Sequence, residues 1–379
     1  MNHFSSIFQY RKAGLLLLIT IWGVIQTAAY FYFDLKIPED SVIYIRNAES
    51  LLHGNLPEGR ELLYLAYSSL IAIPLLFELD PIYTLFFHLV AAVVAIICMY
   101  KLTLQLSGNN QTAFLATLFY VLWFKFQQWN LILYTDSLFT SLVIINTYLI
   151  FKANRLSQKV LVGLLILFTI FIRPPGIGLL VALGAYMIIT VIKSQRIKRS
   201  LQIGFTALLS IIALLSVNAA LTYFIDSFME SYQMAEIIYP GIPLFVETPE
   251  SFTIPHKGYS PLIQLPLTYI LNPVYMIKIS FIKGALFLAH IKPYYSIQHN
   301  LFIGAFLYPL YFFAIKGFTL IINHRFKIFM GVFVGFQLLT VCLTSENWDG
   351  RFLLPVLPFV FIFGAEGINQ RLEKIVKLQ

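Results

Sequence analysis

Long apolar runs recur from one end of the chain to the other with only short polar breaks between most of them, and a helix needs about 20 such residues to cross a bilayer. The pattern predicts ten spans: Leu15 to Phe33, Ile82 to Leu106, Thr112 to Phe126, Thr135 to Phe151, Val160 to Ile172, Gly176 to Ile192, Leu201 to Ile225, Leu301 to Ile322, Phe326 to Leu343 and Phe352 to Ile368. Two polar-rich segments are too long to be connectors, residues 34–81 and 226–300, and loops of that size carry function or structure of their own. The first contains an ambiguous apolar stretch, Leu62 to Phe77, broken by Pro74. The second begins Pro-rich and ends in an apolar stretch from Val274 to Ala289, with Lys278 and Lys283 placed to snorkel from an interfacial helix.

Composition agrees with the pattern: 59% of the 379 residues are hydrophobic and 12% charged, with a mean hydropathy of +0.78. A soluble domain needs more polar surface than this, so the expectation is a single all-α polytopic domain over residues 1–379, in the plasma or inner membrane. Lys and Arg set its orientation, because short cytoplasmic loops collect them. Arg11-Lys12, Lys152/Arg155/Lys159, Lys193/Arg196/Lys198/Arg199, Arg325/Lys327 and Arg371/Lys374/Lys377 all fall on one side when ten spans are counted. Only Glu366 and Glu373 of the 18 carboxylates join them. Counting Leu62 to Phe77 as a span would reverse every later loop, so it is expected as a helix in the outer interface. The net charge of +8 then reports topology and attraction to anionic lipids, with no reason to invoke nucleic acid. Leu15 to Phe33 lacks a small-residue cleavage site and reads as an uncleaved anchor. Cys98 and Cys342 sit inside spans and define no disulfide framework.

Four segments on the outer side carry candidate chemistry. Pro38-Glu39-Asp40 starts a helix that His53-Gly54 ends, with Asp40 and Tyr44 on one face. Tyr134-Thr135-Asp136 opens the fourth span, at the rim where a carboxylate is tolerated rather than in the hydrocarbon centre, where it costs roughly 2.5–3.5 kcal/mol. Arg173-Pro174-Pro175-Gly176 breaks the chain between two spans. Ser345 to Pro355, with Arg351, precedes the last span, and an arginine there suits a bidentate phosphate. For each, the plain alternative is a helix cap, a dipole complement or an interfacial anchor. In the second loop His256, Lys257 and Lys283 are candidate phosphate contacts. A divalent cation is left open: hard oxygen ligands from Asp40 or Asp136 suit magnesium or manganese better than zinc.

Acids at a membrane rim beside cationic groups suit transfer of a sugar from a polyprenyl-phosphate donor to a hydroxyl of a lipid, glycan or protein acceptor. Phosphate is already a stable leaving anion, so one carboxylate acting as a base is enough. The ordered set Asp40-Ser-Val-Ile-Tyr44 with Ala48, Leu51-Leu52 and Gly54, Tyr134-Thr-Asp136-Ser-Leu-Phe139, Arg173-Pro-Pro-Gly176 and Arg351-Phe-Leu-Leu-Pro355 resembles the GT-C membrane glycosyltransferases, of the protein-mannosyltransferase and aminoarabinose-transferase group. The resemblance implies that Asp40 is the catalytic acid of the first outer loop and Asp136 the acid of the second, with an interfacial helix after the first span. On the residues themselves, the active site is expected to face the periplasm or exterior, with Glu39, Tyr44, Arg173 and Arg351 as candidate substrate contacts beside the two acids. Many relatives begin the first motif with Asp-Glu, whereas this chain has Asp40-Ser41 with Glu39 on the other side. Those relatives also carry a soluble domain after the spans, so acceptor recognition here is expected from the two outer loops. Two other classes fit the composition: a lipid-glycan flippase, which places polar groups near the midplane and often shows inverted repeats that this sequence lacks, and a glycan polymerase or ligase of a different membrane fold.

Overall fold

Helices end where the sequence supplies punctuation. In the computed structural model, which describes residues 11–193, 198–238, 246–344 and 348–378, α1 spans Arg11–Phe33 and α2 spans Ser41–Leu52. A 3₁₀ turn over Gly59–Tyr64 leads into α3, Leu65–Leu76, and α4 covers Leu85–Ser107. Gly108 ends α4 in the left-handed conformation (φ 68°), and Asn109 starts α5, Asn110–Leu122, by accepting from the N–H groups of Gln111 (2.7 Å) and Thr112 (3.4 Å). Then follow α6 (Phe124–Trp129), α7 (Thr135–Lys152), α8 (Leu156–Ile172), α9 (Ile177–Ile192), α10 (Arg199–Thr222) and α11 (Ile225–Gln233). The remainder are α12 (Pro261–Leu271), α13 (Pro273–Ala289), α14 (Ile297–Leu320), α15 (His324–Leu343) and α16 (Leu357–Leu378).

Among the described residues six helices are long and apolar enough to cross a membrane: Lys12–Phe33, Pro81–Ser107, Pro174–Ile192, Arg199–Thr222, Ile297–Leu320 and His324–Leu343. A seventh is gained if α12 and α13, bent by 108° at their junction, form one broken span. The chain is an all-helical, multi-pass membrane protein by the length and composition of its helices. α10 illustrates why lipid is its solvent: none of its most apolar window is buried, and Leu201, Ile203, Leu208 and Leu215 all stand exposed, an apolar surface that water would penalise.

Three of the other predicted spans differ from expectation for local reasons. The run from Thr112 to Phe126 is not one helix: Trp123 takes an extended conformation (φ −70°, ψ 100°), and the Gln127 side chain donates to the carbonyls of Tyr120 (3.2 Å) and Val121 (3.0 Å) that the break sets free. The last helix starts at Leu357, after turns over residues 351–356, and continues through Arg371 to Leu378. The fifth run is helical from Leu156 but only 17 residues long. α3 has 12 residues and rises about 18 Å, short of the ~30 Å hydrocarbon core.

The helices group into two compact units: residues 1–176, 306–324 and 354–379 in the first, residues 177–305 and 325–353 in the second. In the first, α4 packs on α7 and α5, α16 packs on α5, and α2 packs on α3. A buried polar clamp joins α7 to α8, where Asn146 Nδ2 donates to Leu142 O (2.9 Å) and Thr169 Oγ1 (2.8 Å), a bond suited to helix association in lipid. Gly176 closes the turn after α8: a Cβ there would lie 2.9 Å from Thr169 O and 3.0 Å from Ile170 Cα, so only glycine lets the Pro-Pro turn fold back this closely. In the second unit, α9 packs on α10 and α12 on α13, around a core that includes Met229, Tyr232, Ile237, Met276 and Ile279.

Candidate functional site

The first unit brings two of the sequence-predicted segments together by backbone bonding. Lys36 pairs with Ile132 in an isolated parallel bridge: Lys36 N–H donates to Leu131 O (3.0 Å) and Leu133 N–H donates to Lys36 O (2.8 Å). Ser41 Oγ donates to Leu133 O as well. This staple sets the start of α2 beside the start of α7, and with them Asp40 beside Tyr134.

Asp40 is exposed and makes no side-chain cap bond to its own helix. Tyr134 Oη donates to Asp40 Oδ2 at 3.0 Å. Glu39 is exposed next to it. Behind this pair lies a cluster of tyrosine rings: Tyr44 is 5.2 Å from Tyr64, 5.2 Å from Tyr67 and 5.7 Å from Tyr134, centroid to centroid. Burial first, then the neighbouring Tyr64, Tyr134 and Asp136, holds the Tyr44 hydroxyl well above the usual phenol range. Burial does the same for Tyr67. Both therefore stay protonated at neutral pH. Tyr44, a candidate substrate contact that shares a face with Asp40, is buried and packs against the rings of Tyr64, Tyr67 and Tyr134.

The second acid also differs from the expectation of a carboxylate open at the rim. Asp136 is fully buried and Arg173 nearly so, and Arg173 Nη1 donates to Asp136 Oδ1 in an ion pair. The guanidinium also lies 5.8 Å from the Phe139 ring centroid. Sequence spacing alone placed each group on the outer side; it could not show that the arginine after α8 turns inward to neutralise the acid at the start of α7. Asp136 and Arg173 are thus brought together in a buried ion pair.

Two polar sets in this unit were not anticipated. His88 is fully buried in α4, its Nε2 3.3 Å from Tyr67 Oη; a histidine four residues into an apolar helix is the signal that could have found it. Asn130 donates to Gln26 Oε1 (3.0 Å) and to Gln127 Oε1 (3.3 Å), and Ser137 Oγ donates to Asn130, a buried network under the bridge. Arg46 pairs with Glu61 at 3.0 Å on the surface of α2.

The second unit holds the remaining predicted residues. His256 and Lys257 are exposed in the loop, with His256 Nδ1 accepting from Gly258 N–H (3.0 Å). Lys283, expected to snorkel, is fully buried: its Nζ donates to Thr344 O and lies 5.1 Å from the Tyr232 ring centroid. Its position on α13 faces the core rather than the interface. Arg351 is buried too, beside a turn that the sequence did not single out. There His290 caps α13 in the left-handed conformation (φ 57°), and a Cβ on Gly350 would collide with its imidazole. Tyr295 Oη donates to Asp349 Oδ1 (2.6 Å), the Tyr295 ring stacks on His299 at 4.2 Å, and Lys292 is fully buried nearby in sequence. The predicted Ser345–Pro355 segment is described from residue 348 onward; residues 345–347 lie outside the described residues, as do Pro240, Pro243 and Arg196.

Among the described residues no group of three or more His, Cys, Asp or Glu side chains comes together as a metal site. Asp136, a candidate ligand for magnesium or manganese, has the Arg173 guanidinium against it. No protein-family model matches the chain, and no curated protein matches it in sequence.

Proposed function

We propose that this protein is a GT-C-like glycosyltransferase that moves a sugar from a polyprenyl-phosphate donor to an acceptor hydroxyl at the extracytoplasmic membrane face. Asp40 is the general base. It takes the acceptor proton as the acceptor oxygen attacks the anomeric carbon, the bond from that carbon to phosphate oxygen breaks, and polyprenyl phosphate leaves with the electron pair. A single displacement of this kind inverts the anomeric centre, by analogy with inverting glycosidases, and the base contributes about 10²–10⁴-fold.

The observation that carries this reading is the state of Asp40: an exposed carboxylate a few residues past the first apolar helix, oriented by Tyr134 and backed by a protonated tyrosine cluster. The ordered motifs support it, because the Asp40 and Tyr134-Thr135-Asp136 segments meet, and Arg173 joins the second. The ten-span topology, with α3 lying in the outer interface, belongs to the same proposal. It is supported by the way contacts in the first unit sort: the bridge, the tyrosines and the Asp136–Arg173 pair involve segments expected outside, whereas Thr112 bonds Glu366 (3.1 Å) and Asn109 bonds Glu373 (3.2 Å), all expected inside.

The test is turnover of a panel of polyprenyl-phosphate sugars by purified protein in proteoliposomes. Wild type consumes a donor; Asp40→Asn, which keeps the Tyr134 bond and the fold, loses at least 100-fold. Full activity in Asp40→Asn overturns the assignment and favours a polymerase or ligase that works from the large second loop.

A further inference from the structure

At the far end of the first unit's helices a cavity of about 630 Å³ opens between α1, α4 and α7. Three lysines, one from each helix, converge on it: Lys12, Lys101 and Lys152. Its floor is made by Tyr100 and Tyr148, both buried, and its apolar walls by Leu15 and Leu104. None of the lining residues is acidic.

We propose that this cavity binds the phosphate head group of an acidic phospholipid. Its volume lies within the ~300–1,000 Å³ of small-ligand sites. Three positive charges without a carboxylate among the lining groups create a field that an anion relieves, and the lysine stems and two leucines give the upper acyl chain an apolar wall. The site is built rather than incidental. Lys152 Nζ is held 5.3 Å from the Tyr148 ring centroid, and Gln105 donates to Phe151 O at 3.1 Å, which ties the end of α4 to the end of α7.

Its depth fits the same ligand. Asp136 opens α7 and Lys152 closes it, 16 residues that rise about 24 Å, most of the ~30 Å hydrocarbon core. The cavity therefore meets lipid at the water boundary opposite the Asp40 face, where anionic leaflet lipids attract basic groups. A choline head group brings its own cation into the lysine field and is disfavoured.

Lipid binding to the purified full-length protein in neutral detergent, followed by native mass spectrometry, tests the assignment with phosphatidylglycerol, phosphatidylcholine and inorganic phosphate as separate probes. A lysine beside an acidic head group contributes about fivefold in affinity. Lys101→Gln with Lys152→Gln is expected to weaken phosphatidylglycerol binding about 30-fold, each single variant about fivefold, and the paired Lys→Arg changes about threefold or less. Phosphatidylcholine binds weakly to all of them. Equal phosphatidylglycerol binding by wild type and the single Gln variants overturns the proposal, and so does inorganic phosphate binding as tightly as the lipid. None of these residues belongs to the Asp40 site, so the outcome is independent of donor turnover.

Discussion

Removing the Asp136 carboxylate should destabilise the protein far more than removing the carboxylate and its arginine together. Asp136 is fully buried and Arg173 is 6% exposed, so Asp136→Leu leaves a guanidinium in the interior without its counter-charge. Breaking a buried pair in this way costs about 3–5 kcal/mol, while replacing both partners with well-packed hydrophobic groups of similar volume is close to neutral. Unfolding entropy of about 2.1 cal/mol/K per residue over 379 residues gives roughly 0.8 kcal/mol/K, so the single change lowers Tm by about 4–6 °C. The double change, Asp136→Leu with Arg173→Met, should recover most of that loss, because the isolated charge is gone, no polar group is left unpaired and Met still packs on Phe139. Thermal unfolding in detergent, read by native tryptophan fluorescence for wild type, both single variants and the double, closes the cycle. A single variant within 1 °C of wild type, or a double variant less stable than either single, would refute the claim that this pair is a buried, mutually neutralising unit.

Two further outcomes follow from the same geometry. Tyr134→Phe removes the hydroxyl that orients the Asp40 carboxylate but leaves the ring against Tyr44, so kcat for sugar transfer should fall about 3–10-fold with KM and Tm nearly unchanged; loss of stability instead would mean the hydroxyl is structural. Gly176→Val, which places a side chain against Thr169 O, should shift the turn after α8 and cost about 1–3 kcal/mol, seen as a lower Tm; a neutral result would show that the turn has room.

The division between apolar spans and polar loops was readable because lipid imposes a period-free signal: long runs, charged breaks and lysine-rich ends. The Leu62–Phe77 stretch was expected to break at Pro74, but the helix runs from Leu65 through Pro74 to Leu76, because a proline near a helix C-terminus removes only one late hydrogen bond. Features that depend on distant partners were not readable. Nothing in Arg173-Pro174-Pro175-Gly176 says that the arginine meets Asp136, 37 residues earlier. A lysine in an apolar helix reads the same whether it snorkels or is buried, and Lys283 is buried because α13 turns that face toward Tyr232 and Thr344. The Trp123 break carries no proline or glycine; it is sustained by Gln127, four residues on, reaching back to free carbonyls. His88, a lone histidine in an apolar run, carries no sequence mark of its partner, Tyr67.

The account rests on the Asp40 face and the lysine cavity lying on opposite sides of the bilayer, with Asp40 outside. Site-specific thiol labelling in intact cells measures this directly. In a background with Cys98→Ala and Cys342→Ala, Glu58→Cys in the first loop and Gln158→Cys after α7, both at exposed positions, are treated with a membrane-impermeant maleimide before and after lysis. The expected result is labelling at position 58 in intact cells and at position 158 only after lysis. Labelling at position 158 in intact cells with position 58 protected contradicts it, and with it the extracytoplasmic sugar transfer.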